Sequence, residues 1–107
     1  MSTRLNLTYP TALVLRALAE GFVYGFDVMD ASGLPSGTVY PALRRLERAG
    51  CVASHWEEEN AARREGRPAR RYYEVTDEGR SLLARAHARF AGLDHGLHTG
   101  VTAGDRE

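Results

Sequence analysis

Five arginines, Arg63, Arg64, Arg67, Arg70 and Arg71, fall within nine residues of one another. Over residues 60–71 only Glu65 opposes them, a local charge of +4 in a chain whose formal net charge is zero. Guanidinium groups at this density suit phosphates. Gly66-Arg67-Pro68 would keep the backbone extended and let Arg67 lie in a narrow, electronegative minor groove. The competing reading is a solvated loop, balanced by Glu57-Glu58-Glu59 through exposed and therefore weak ion pairs.

A second group, Ser36, Gly37, Thr38, Tyr40, Arg44 and Arg45, is interleaved with Val39, Leu43 and Leu46 at helical spacing. A helix beginning at Ser36 would bury the three apolar residues and turn the polar ones outward. Its free N–H groups and positive dipole end suit a phosphate, Gly37 permits close approach, and the Tyr40 hydroxyl can hydrogen-bond a phosphate. Arg44 or Arg45 has the planar donor pair that reads guanine. In the competing reading Arg45 pairs with a carboxylate and Arg44 alone faces DNA. Arg48 reads as solvent-facing.

A third group is His87, Asp94, His95 and His98, an acidic ligand with imidazoles at i, i+3 spacing that could take a divalent metal. Gly92 and Gly96 loosen that segment, and surface histidines are common, so regulatory metal binding is the less favoured reading. Cys51 is the sole cysteine, which excludes an intrachain disulfide and reads as a small buried hydrophobe, with redox sensing as the alternative. There is no glycine-rich phosphate loop, no Ser-His-Asp arrangement and no Cys-His pair at helical spacing, so the chain reads as not an enzyme and as needing no cofactor.

The elements that position these residues follow from periodicity and caps. Thr8 caps a first helix with Pro10 in its first turn and Gly21 at its end. Apart from Thr11, Arg16 and Glu20 that helix is apolar almost all round, more than one buried face requires. Tyr24 to Ala31 reads as a second helix with Phe26, Val28 and Met29 inward, and Ser32-Gly33-Leu34-Pro35 as a turn. Ser36 caps the third helix, Pro41 predicts a bend or wide first turn in it, and Gly50 ends it. Cys51 to Trp56 and Arg71 to Thr76 read as a hairpin joined by about a dozen polar residues, with Trp56, Tyr72 and Tyr73 as packing residues. Trp56 keeps a lesser claim to stack on a planar effector. Thr76 caps a last helix in which Leu83, Ala86, Phe90, Leu93 and Leu97 follow a coiled-coil spacing.

The expected fold class is therefore mainly α with a β-hairpin (α+β): a winged helix-turn-helix over residues 1–76, a C-terminal dimerisation helix over 77–98, and a flexible tail over 99–107. At 107 residues with 43% hydrophobic and 26% charged composition, one core is feasible without assistance. No apolar run approaches bilayer length, and Met1 to Leu7 lack the apolar core of a signal peptide, so the expected location is cytoplasmic with no membrane partner.

The segment Tyr24-Gly25-Phe26, then Leu34-Pro35-Ser36-Gly37-Thr38-Val39-Tyr40-Pro41, Leu43, Arg45-Leu46-Glu47 and Gly50, resembles the PadR family of bacterial regulators. Gly66 to Gly79, running from the wing through Arg70-Arg71-Tyr72-Tyr73 into the last helix, resembles it too. The likeness spans roughly residues 9–90, and the short C-terminal region is similar to compact members with one terminal helix. The resemblance implies a transcriptional repressor that dimerises through its first and last helices, with Leu13, Ala17, Leu83, Ala86, Phe90 and Leu93 at the interface. It implies contact with double-stranded DNA through Ser36, Gly37, Thr38, Tyr40, Arg44 and Arg45. Arg63, Arg64, Arg67 and Arg70 would serve the wing. A homodimer on a pseudo-palindromic operator, with release by a small-molecule or metal effector open, is the expected mode. The alternative is a winged-helix module that binds protein without DNA.

Overall fold

A computed structural model describes residues 5–97. The Thr8 side chain accepts from the Thr11 amide and opens α1 (Tyr9–Ala19), which Glu20 and Gly21 close. Next comes α2 (Gly25–Ser32), ending at Gly33. Then follow α3 (Ser36–Arg48), β1 (Val52–Trp56), α4 (Glu59–Arg64), β2 (Arg71–Val75) and α5 (Asp77–Arg89). Ser32 is buried, and its hydroxyl accepts from the Leu34 amide at 3.1 Å, bracing the α2–α3 turn. The strands β1 and β2 pair antiparallel with Val52 opposite Val75 and Trp56 opposite Arg71. Tyr24 adds a single bridge to Tyr72 on the outer edge of β2, and the Tyr73 amide donates to the Val23 carbonyl at 2.9 Å. The helix-helix-helix-hairpin-helix order is an α+β winged helix, as the spacing predicted.

The main core joins Val14 and Leu15 of α1, Val28 of α2, and Val39, Leu43 and Leu46 of α3 to Val52, Tyr73 and Val75 of the hairpin and Leu82 of α5. Each large aliphatic side chain taken out of water here contributes about 1.5–3 kcal/mol before entropy is counted. Strand alternation puts Tyr73 inside and leaves Tyr72 half-buried, and Cys51 is buried with burial pushing its thiol pKa up. That matches the small-hydrophobe reading.

Several local expectations fail for identifiable reasons. Pro35, not Ser36, is the N-cap of α3, so Ser36 is already its first helical residue. Pro41, where a bend or wide first turn was expected, lies inside the helix, and its missing N–H leaves the Gly37 carbonyl without its helical donor. Phe26 is 69% exposed, because Val28 and Ala31 take the inward face of α2. Trp56 is 66% exposed, at the last paired position of β1 opposite Arg71. The connection between the strands is not wholly irregular: Glu58 accepts from the Ala61 amide at 2.9 Å and starts α4.

The last helix stops at Arg89, short of the expected span. Phe90 leaves helical geometry, Gly92 takes φ +83, and Leu93–Gly96 forms a 3₁₀ turn. A left-handed residue in mid-segment ends the leucine spacing as a helical stripe. Leu93 turns back beside Ala12, Leu13 and Ala86 to form a second buried cluster, with Leu83, Phe90 and Leu97 packed against it. The surplus apolar face of α1 is thus covered in part by the same chain.

Candidate nucleic-acid interface

The outer side of α3 is built by a four-residue repeat. Tyr40, Arg44 and Arg48 follow one another at successive turns while Val39, Leu43 and Leu46 are held in the core. Tyr40 is 39% exposed and its ring lies over the Gly25 backbone, where a Cβ would stand 2.5 Å from the ring. Gly25 is therefore required for close approach, and α2 orients the tyrosine. At the start of α3 the Thr38 amide bonds back to the Pro35 carbonyl at 2.9 Å. The amides of Ser36 and Gly37 lie outside the helical ladder, on residues that are exposed. Arg44 and Arg48 are exposed and form no hydrogen bond or ion pair among the described residues.

Arg45 is directed elsewhere. Its Nη2 donates to Thr11 Oγ1 at 3.3 Å, so it leans on α1, and its partner is a hydroxyl, not the carboxylate considered from sequence. Glu47, the next polar residue, ties α3 to the hairpin: Ser54 Oγ donates to it at 2.7 Å, and Arg71 Nη2 donates to Ser54 Oγ at 2.7 Å and reaches Glu47 at 3.4 Å. Tyr40, Arg44, Glu47, Arg48, Arg71 and Tyr73 line the open groove between helix and hairpin, of about 480 Å³.

The wing base is organised differently, around a carboxylate of the acidic run from which only exposed, weak ion pairs to the arginines were expected. Glu57 has only 13% of its side chain exposed. Arg67 donates to it through both terminal nitrogens, at 2.6 and 3.2 Å. The Tyr24 hydroxyl donates at 2.7 Å and the Arg70 amide at 2.9 Å. These donors favour the ionised form, the Arg67 hydrogen bonds most, and hold the Glu57 pKa down to about 2. The same contact raises the Tyr24 hydroxyl, chiefly through its hydrogen bond to Glu57. Arg70 also stacks over the Tyr24 ring, 4.1 Å from the centroid. Arg67 is therefore folded against the wing base, not extended at its tip. Arg63 and Arg64, in the last turn of α4, are exposed and without hydrogen-bond or ion-pair partners among the described residues. The charge run Arg63 to Arg71 thus divides into two outward cations and three that are engaged. The only sequence signal for Glu57 as a hub was its position at the end of a strand opposite the arginines.

Of the six interface candidates, Leu13, Ala17, Ala86 and Leu93 are buried within the single chain, whereas Leu83 and Phe90 are half-buried. Tyr9 meets Phe90 edge-to-face at 5.7 Å between centroids. Of the metal candidates, His87 lies on α5, Asp94 and His95 fall in the 3₁₀ turn, and His98 is outside the described residues. Among the described residues no group of three or more His, Cys, Asp or Glu could hold a metal ion.

The model of the transcriptional regulator PadR-like family matches residues 14–85, from the middle of α1 through most of α5. The chain belongs to the PadR-like family of transcriptional regulators. The winged-helix arrangement is shared with a PadR family regulator from Clostridium difficile, at 24% identity and TM-score 0.67, covering 82% of this chain and 93% of that one. A PadR family regulator from Eggerthella lenta is similar at 28% identity and TM-score 0.59, covering 82% and 80%. A transcriptional regulator from Clostridium thermocellum is similar at 26% identity and TM-score 0.60, covering 76% and 79%. No curated protein matches the chain. Among the described residues no helix is long and apolar enough to cross a membrane.

Proposed function

We propose that this PadR-like chain is a cytoplasmic, DNA-binding repressor that acts as a homodimer and places α3 in the major groove of each half of a pseudo-palindromic operator. The observation that carries the reading is the outer side of α3, where Tyr40, Arg44 and Arg48 stand one turn apart, with Arg44 and Arg48 free of any carboxylate among the described residues. An unpaired guanidinium can bind a guanine edge or phosphate without first losing an internal partner. The exposed amides at Ser36 and Gly37 add phosphate donors at the helix start. Arg63 and Arg64 are the wing cations best placed for a neighbouring backbone, and Arg67 with Arg70 shape the wing from its base.

Dimerisation is supported by the partly exposed apolar residues that remain beside α1 and α5. Leu83, Phe90 and Tyr9 form the patch on which a second chain would sit. Two α3 helices about 34 Å apart would then meet successive major grooves. An effector that binds one dimer spacing better than another would alter DNA affinity by that differential alone.

The test is an electrophoretic shift on the DNA upstream of the chain's own gene, with wild type beside a Tyr40→Ala, Arg44→Ala double variant. Wild type should shift the duplex, and the variant should need at least about tenfold more protein, the equivalent of one lost base or phosphate contact. Absence of a shift at low salt for a folded dimer would favour the protein-binding winged helix instead.

A further inference from the structure

Trp56 has no part in the core or in the α3 contact set and touches the arginine run only through Arg71, although it is the only tryptophan of the chain and one of the most exposed large apolar side chains among the described residues. Its direction is fixed by the strand. Val52, Ser54 and Trp56 alternate onto one side of β1, opposite Val75, Tyr73 and Arg71 of β2. Val52, Val75 and Tyr73 of that side are in the main core, and Ser54 hydrogen-bonds Glu47 of α3. Trp56 therefore continues the hairpin side that carries the groove between α3 and the hairpin, one residue pair farther out. Arg71 links the two: its guanidinium is 5.8 Å from the Trp56 ring centroid, 6.0 Å from that of Tyr73, and bonded to Ser54.

The groove and its rim carry three cations, Arg44, Arg48 and Arg71, against Glu47 alone, and Glu47 is already engaged by Ser54 and Arg71. Its surplus is positive. A DNA backbone supplies the complementary charge and, between phosphates, the apolar faces of deoxyribose. An exposed indole next to such a groove offers both an apolar face and one N–H donor.

Resting on the DNA-binding reading above, we propose that the α3–hairpin groove is a backbone-binding site in which Arg44 and Arg48 hold a phosphate and Trp56 packs on the adjoining deoxyribose. Trp56 then contacts the strand that passes between the major groove read by α3 and the groove approached by the wing. It adds affinity with little sequence preference, because every nucleotide presents the same sugar. Arg71 acts as a positioning residue, keeping the indole against the helix side of the hairpin.

The single tryptophan makes the test direct. Acrylamide quenching of its fluorescence is measured in the free protein and in a saturated complex with the duplex, while anisotropy of a labelled duplex reports binding independently. In the free protein quenching is efficient, and on DNA it falls by at least about half. Trp56→Ala weakens binding about five- to tenfold, with the salt slope unchanged, and Trp56→Phe recovers part of the loss. Unaltered quenching in a complex that anisotropy shows to be formed overturns the Trp56 contact and leaves the DNA-binding reading standing. A tryptophan already shielded in free protein overturns it also, by assigning the residue to a contact between chains. No anisotropy change at low salt removes both.

Discussion

Arg44 and Arg67 are side chains of one type on two elements of the same charged surface, and they are held in opposite ways. Arg44 extends from α3 without an ion pair or hydrogen bond among the described residues. Arg67 is clamped bidentately on Glu57, a carboxylate that Tyr24 and the Arg70 backbone also engage. A guanidinium committed to an internal carboxylate must give up that partner to reach a phosphate, whereas a solvated one gives up only water. The wing base is thereby a structural node, connecting α2, β1 and β2, and the outer side of α3 is a surface left open for a partner. Counting arginines along the sequence treats the two regions alike. Their pairing separates them.

The comparison can be broken at several points. Phe90→Asp introduces a charge beside Tyr9 and the second cluster, and it should give monomers in sedimentation with DNA affinity reduced at least about tenfold, because one half-site's contacts are lost. A stable dimer after that change places the interface elsewhere. Gly25→Ala puts a Cβ where the Tyr40 ring now lies. The ring is the movable end of its side chain, so DNA affinity should fall about three- to tenfold while stability changes within about 1 kcal/mol, measured by anisotropy and urea unfolding. Equal loss of stability and binding would make Tyr40 a packing residue. Glu57→Gln should act on the wing base and on acid stability. The Glu57 pKa is lowered from 4.5 to about 2 on folding, so its contribution is complete above pH 4.5 and is lost as pH falls toward 2. The variant should be less stable than wild type at neutral pH and converge with it near pH 2. A constant difference across that range would mean that the carboxylate's charge is not what matters.

The order of the four longer helices and the two strands was legible because α1, α2, α3 and α5 carry apolar residues at helical spacing and each strand a β-branched or aromatic run, with Gly33 and Gly50 marking the ends. Val39, Leu43 and Leu46 alone oriented α3, and with it Tyr40 and Arg44. What sequence reading missed involves tertiary choice between equivalent candidates. Phe26 and Val28 are both apolar within α2, and only packing against α1 and α3 decides that Val28 is inside. Leu93 continues a heptad spacing in sequence, but the backbone reversal at Gly92 sends it back onto Leu13. Glu57 begins an acidic run of three, and only the pairing of β1 with β2 shows which of them meets Arg67. The capping glutamate Glu58 and the helix-forming Ala61, Ala62, Arg63 and Arg64 were a usable signal for α4.

The most direct test of the difference between the open and the engaged arginines is the salt dependence of duplex binding, measured by anisotropy for wild type, Arg44→Ala and Arg67→Ala. Removing a cation that neutralises one phosphate reduces the slope of log affinity against log salt by about 0.9. Arg44→Ala should show close to that full reduction, and Arg67→Ala well under half of it, with its loss appearing instead in thermal stability. A full reduction for Arg67→Ala with none for Arg44→Ala would contradict the account and return the leading role in DNA contact to the wing.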